Sequence, residues 1–184
     1  MTLTRSVATL AALALTTAVF ADTKNPDVGG AAMFADKHIL ENAVNSADHT
    51  TLVAAVLAAG LVNTLSGPGP FTVFAPVNAA FDALPAGTVD TLLQPENQVM
   101  LTKILTCHVI GAAAMSDAIA GLVADGNGAH KVQTLGGCVL TATQADGKLT
   151  LTDENGTKAT VTIADVRQSN GVIHVIDAVM RPKG

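Results

Sequence analysis

Phe71-Thr72-Val73-Phe74-Ala75-Pro76-Val77-Asn78-Ala79-Ala80-Phe81 brings three local signals together in eleven residues. Phe71, Val73 and Ala75 alternate with Thr72 and Phe74, the period of a half-buried or fully buried strand. Pro76 has no N–H to give a sheet ladder and ends the strand. Asn78 is then a good N-cap for a short helix holding Ala79, Ala80 and Phe81. Three of the chain's five aromatic residues, all phenylalanine, lie in this corner, which therefore reads as a hydrophobic pivot between two layers.

Upstream, Ser66-Gly67-Pro68-Gly69-Pro70 forms a loop that feeds the strand. Before it, Ile39, Leu40, Ala43, Val44 and Ala47 fit a short helix. Leu52, Val53, Val56 and Leu57 share one face of a second helix, which starts at Asp48 or Thr50 and closes at Gly60. Downstream, Thr88 caps a helix bearing Val89, Leu92 and Leu93. Pro95 opens another that runs to about His108, with Leu101, Ile104, Leu105 and His108 on its inward face. Ser116 caps a helix with Ile119, Leu122 and Val123.

The period then changes. Residues 138–143, 148–152 and 159–163 alternate apolar and polar, and Asp146-Gly147 and Asn155-Gly156 join them as hairpin turns. Val172-Ile173-His174-Val175-Ile176 is apolar on both faces apart from one histidine, as a central strand covered on each side requires. Helices first and strands later predict an α+β domain in which 71–75 joins the later sheet.

Residues 1–21 read as a secretory signal peptide. Arg5 precedes an apolar run, and Val19-Phe20-Ala21 suits cleavage after Ala21. No cysteine sits at the cleavage point to take a lipid, and no second long apolar run follows, so export to the periplasm or the extracellular space is expected, with no membrane span. Residues 22–35, with Asn25-Pro26 and Gly29-Gly30, read as a flexible lead, and 36–182 as one domain. Without Arg5, nine Lys and Arg face fifteen Asp and Glu, a formal charge of −6. With no basic cluster and no aromatic platform, nucleic acid is excluded as a partner.

Cys107 and Cys138 would enter an oxidising compartment, so a disulfide is the default reading, against two separately buried thiols. His108 adjoins Cys107, but neighbouring helical residues point about 100 degrees apart, and a bridged cysteine is no nucleophile. His108 and His174 read as core histidines bonded to backbone. His38, His49 and His130 show no spacing that would add a metal site. Asp125-Gly126-Asn127-Gly128 and Asp153-Glu154-Asn155-Gly156 are fragments of calcium-loop pattern without the alternating ligands, and turn chemistry accounts for them. Asn155-Gly156-Thr157 matches a glycosylation acceptor, idle in a bacterial exporter. Neither cofactor nor metal is expected.

Thr72-Val73-Phe74-Ala75-Pro76-Val77-Asn78-Ala79-Ala80-Phe81 resembles the first signature block of the fasciclin (beta-Ig-H3/fasciclin) domain family. Asn170-Gly171-Val172-Ile173-His174-Val175-Ile176-Asp177-Ala178-Val179-Met180-Arg181-Pro182 resembles its closing block, and Ile104-Leu105-Thr106-Cys107-His108-Val109-Ile110-Gly111 its central Tyr-His segment. The resemblance implies helices packed on a wedge of two mostly antiparallel sheets, a role in adhesion or matrix and cell-surface interaction, and no enzymatic activity. Its fold signature falls on Thr72, Phe74, Ala75, Pro76, Asn78, Phe81, Asn170, Gly171, His174 and Asp177. The adhesion-linked Tyr-His pair of some members falls on Cys107 and His108, with cysteine in place of tyrosine. Two functions follow as expectations: a surface module that binds a protein or polysaccharide, and a carrier of a small apolar ligand such as a lipid between helices and sheet.

Overall fold

The computed structural model describes residues 24–183, so the expected leader at 1–21 lies outside the described residues. In chain order the elements are α1 (Ile39–Ala43), α2 (Thr50–Ala58), α3 (Val62–Leu65), β1 (Phe71–Pro76), α4 (Asn78–Asp82), α5 (Thr88–Leu92), α6 (Gln98–Thr106), β2 (Val109–Ile110), α7 (Ser116–Asp125), β3 (Ala129–Gln133), β4 (Val139–Ala145), β5 (Lys148–Thr152), β6 (Lys158–Gln168) and β7 (Gly171–Ile176). Single 3₁₀ turns, Ala47–His49 and Pro95–Asn97, lead into α2 and α6.

The strands bond in the order β2-β1-β7-β6-β5-β4-β3. β1 and β7 run parallel, with Phe71 opposite Gly171 and Phe74 opposite His174. The other described neighbours are antiparallel. A Cβ at Gly171 would run into the Phe71 carbonyl, so this position lets β1 and β7 approach. The long β6 belongs to both arms of the wedge: its first residues pair with β5 and the rest with β7, with register shifts near Ile163.

The pivot reading of β1 holds. Val73 and Ala75 face one core with Leu52, Val56, Leu65, Leu101, Leu105, Ile173 and Val175 under the early helices. Phe74 faces a second core with Ile119, Val123, Leu140, Leu151, Ile176 and Met180 beneath α7. Alternation along one buried strand thus ties two cores together, and the Phe74 ring stacks on His174 with centroids 5.6 Å apart.

Several local expectations are corrected. The lead at 22–35 is not loose over its described part: Val28 and Met33 enter the core. Asn25 bonds both backbone groups of Arg167, at 2.6 and 2.9 Å, and the Asn42 side chain holds the Phe34 N–H and C=O. Leu57 points to solvent and does not share the buried face of α2. β2 and β3 were not expected, and β6 continues past Ile163. In the meander, Asp146 and Gly147 have φ of 51° and 74°, as a tight primed turn demands. The second connection is wider than the expected two-residue turn, closed by Asp153 N–H to the Thr157 carbonyl and by Asn155, whose amide donates to the Arg181 and Pro182 carbonyls.

Candidate functional site

α6 ends at Thr106, and the turn into β2 swings His108 into the core, where it is 2% exposed. Its Nδ1 lies 2.9 Å from the Ile104 carbonyl, and its Nε2 lies 2.9 Å from the Met180 amide. An amide can only donate, so Nε2 is the acceptor and Nδ1 carries the proton. Burial pushes the pKa down to about 4, with the Ile104 carbonyl and the Asp153 carboxylate opposing. Cys107 is fully buried beside it and bonded to Cys138, with Cα atoms 5.3 Å apart. The Cys107 and His108 side chains, expected as an adhesion segment, therefore offer nothing at the surface; the bend that closes α6 turns both inward.

His174 works the same way from β7. Its Nε2 donates to the Ala114 carbonyl at 2.8 Å, and its Nδ1 accepts the Asp165 N–H at 3.2 Å. Burial lowers its pKa. Thr72 holds the same loop from β1, donating to the Ala112 carbonyl at 2.6 Å and accepting the Ala114 N–H at 2.8 Å. Asp165, at φ 61° in a bulge of β6, takes the Ser116 N–H at 2.7 Å and also the Ser116 hydroxyl. Ser116 was expected to cap α7. It is instead the first helical residue, and Asp165 does the capping from another strand. An aspartate inside a β-branched run was the available signal for that bulge.

The signature asparagines also cap at a distance. α4 starts at Asn78 itself, so Asn78 is not its N-cap. Its carbonyl oxygen accepts the Thr51 N–H at 3.0 Å, and its amide donates to the Ala47 carbonyl at 2.9 Å, which closes the start of α2. Thr88, likewise, is the first residue of α5 behind Gly87 and not its cap. Asn170 accepts the Ile39 N–H at the start of α1, 3.0 Å, and donates to the Leu65 carbonyl at the end of α3, 2.7 Å. Asp177 takes the Thr160 N–H at 2.6 Å.

Enclosed space is scarce. A cavity of about 30 Å³ lies among Leu52, Val56, Leu65, Val73 and Leu105 between helices and sheet, and one of about 110 Å³ lies by Phe81, Leu92 and Val179. Pockets for drug-sized ligands run from roughly 300 to 1,000 Å³. An open polar cleft of about 680 Å³ lies between α7, the start of β5 and the middle of β6, with Asp117, Lys148, Thr162 and Asp177 on its walls.

The family model for the fasciclin domain matches residues 47–182. The chain belongs to the fasciclin-domain family. Protein sll1483 of a Synechocystis species is 49% identical over 160 residues, which cover 86% of this chain and 81% of that protein. The cell surface glycolipoprotein MPB83 of Mycobacterium bovis is 39% identical over 122 residues, covering 66% of this chain and 48% of that one. A solved FAS1 domain pair from the insect cell adhesion molecule fasciclin I superposes with a TM-score of 0.56 at 24% identity, over 68% of this chain and 42% of that chain.

In this fasciclin domain the three sequence blocks meet at the centre of the wedge. Thr72, Asn78, His108, Asn170, His174 and Asp177 each satisfy backbone groups outside their own element, Thr72 and His174 on the same loop, while Phe74, Ala75 and Phe81 fill the two cores. Asp153 spends its carboxylate on the amides of Asn155, Thr157 and Arg181, leaving its oxygens engaged with N–H donors. No group of three or more His, Cys, Asp and Glu placed to hold a metal ion occurs among the described residues.

Proposed function

We propose that this fasciclin domain is an exported recognition module that works in adhesion or matrix-type contact, binding a protein or polysaccharide of the cell surface through its outer face. The observation that carries this reading is the distribution of space: the cavities between helices and sheet are small, whereas a polar cleft of about 680 Å³ is open to solvent. Both ring nitrogens of His108 and of His174 are engaged, and Cys107 and Cys138 are bridged, so none of these four offers a free nucleophile or base; the remaining buried histidine, His49, contacts the Ser46 hydroxyl at 2.8 Å, and that pair lies buried in the core. The cell-surface relative MPB83 supports the same placement. The lipid-carrier alternative finds no support in enclosed cavities of about 30 and 110 Å³. Export rests on the leader at residues 1–21, with cleavage after Ala21.

A photo-crosslinking residue introduced at exposed Val99, Leu122 or Thr162 in the producing cell should yield a discrete adduct with a surface protein or glycan from at least one position. Absence of any adduct from all three positions overturns the reading. The recovered protein should begin at Asp22, and a chain retaining Met1 refutes export by this leader.

A further inference from the structure

The sheet is continuous in strand order but not along its length. The β5–β6 ladder holds three pairs, Thr152 with Lys158, Leu151 with Ala159 and Thr150 with Thr160, and stops. β5 does not stop there: Leu149 and Lys148 continue, still paired with Gln144 and Ala145 of β4. β6 continues as well, held on its other edge by β7 as far as Gln168. The two strands therefore part after Thr160, and the cleft of about 680 Å³ opens in the gap. At Arg167 the side chain of Asn25 takes the place of a neighbouring strand. Between those points, among the described residues, no strand pairs with the β5-facing edge of β6.

Proteins commonly guard an open strand edge with lysine, proline or a very short strand. β3, at the outer end of the sheet, carries Lys131 in its middle. The open segment of β6 reads Val161-Thr162-Ile163-Ala164, rich in β-formers and without lysine or proline, and its one guarding device is the register shift at Ile163. Its surroundings leave room: Ala120 of α7 and Gly147 of the hairpin, facing β6 across the cleft walls, are small. Asp117 and Asp177 lie on the walls against the single cation Lys148, so the cleft is net acidic.

We infer that this cleft is a strand-addition site: an extended peptide segment of a partner protein pairs its backbone with residues 161–164 of β6 and sets a lysine or arginine side chain against Asp117 and Asp177. Backbone pairing supplies affinity, and the acidic walls select the side chain. This rests on the reading of the chain as a recognition module and names the surface it uses. Four residues of added strand span about 13 Å along the edge.

A phage-displayed library of random twelve-residue peptides, panned against the folded, disulfide-intact chain, is the probe. Enriched peptides should alternate β-branched residues and contain lysine or arginine, and their binding should slow amide exchange at residues 161–164. Ala120→Trp, which fills the cleft from α7, should weaken them at least tenfold with the melting temperature retained. The exposed substitution Asp117→Lys should weaken basic peptides by a similar factor, and it carries the test should Ala120→Trp fail to fold. The inference is overturned if no peptide prefers the wild-type chain to either variant, or if bound peptides leave exchange at 161–164 unchanged. A cellular adduct from Val99 with none from Thr162 would likewise sink the cleft while leaving the recognition reading intact; no adduct anywhere removes the recognition reading itself.

Discussion

His108→Gln probes how the centre of the wedge is held. The ring donates to the Ile104 carbonyl and accepts the Met180 amide, so the folded protein needs it neutral. Burial sets its folded pKa at about 4, below the ordinary imidazole value of 6.5 that the unfolded chain is expected to show. Between those values the unfolded chain binds more protons. The stabilisation is therefore complete above about pH 6.5 and is lost as the pH falls through the window toward about 4. A gap of about 2.5 units corresponds to about 3 kcal/mol, of which about 2.5 kcal/mol falls between pH 7 and pH 4.5. Glutamine keeps an acceptor in reach of Met180 but does not titrate. Urea denaturation of both proteins across that range should find the variant less stable by about 1–3 kcal/mol near neutrality, with the difference moving by about 2.5 kcal/mol in the variant's favour at the acid end. His49 and His174, whose pKa values burial also lowers, titrate in both proteins and cancel from the difference. A difference independent of pH, or a folded-state NMR titration of His108 near 6.5, refutes the reasoning.

Phe74→Ala removes a fully buried ring that fills the second core and stacks on His174, and should cost about 3–5 kcal/mol in chemical denaturation. A folded variant of near wild-type stability that had lost only a binding partner would show the corner to be a contact site instead. Asn78→Ala uncaps α2 from outside, and should cost about 1–2 kcal/mol and speed amide exchange at Thr51; exchange that speeds in α4 and not in α2 would contradict the assignment. Replacing Cys107 and Cys138 together by alanine opens a loop with a sequence separation of 31, worth about 3.5 kcal/mol in the chain-entropy model. Equal denaturation midpoints for the variant and the oxidised wild type would refute that contribution.

The pivot, the meander and the central strand were legible because period and composition agreed at each: alternating residues around Phe74, turn dipeptides in the hairpins, and an apolar run about His174. Asn78 and Ser116 were assigned caps on their own helices because capping is ordinarily local. Their partners are Thr51 and Asp165, chosen by tertiary position, which no spacing rule encodes. β3 went unseen because Val132 is its one large apolar residue, and the anchors Val28 and Met33 stand isolated in a glycine-rich stretch. Helical spacing places His108 inward and says nothing of Cys107, whereas the reading of both as an adhesion segment comes from the resemblance alone. The cleft depends on where the β5–β6 ladder stops, which two equally good strand patterns do not disclose.

The parallel contact of β1 with β7 joins Phe71 to Gly171, one hundred positions apart in the chain. Nothing local can substitute for that pairing, so the middle of the sheet forms only when nearly the whole domain is present. A chain halted before Gly171 lacks the strand that covers Phe74 and Ala75 and lacks Ile173 and Val175, on which the early helices pack. Such a topology has a high contact order and folds slowly. Slow closure of this kind makes β7 the latch of the domain: until it docks beside β1, both cores that meet across that strand stay open.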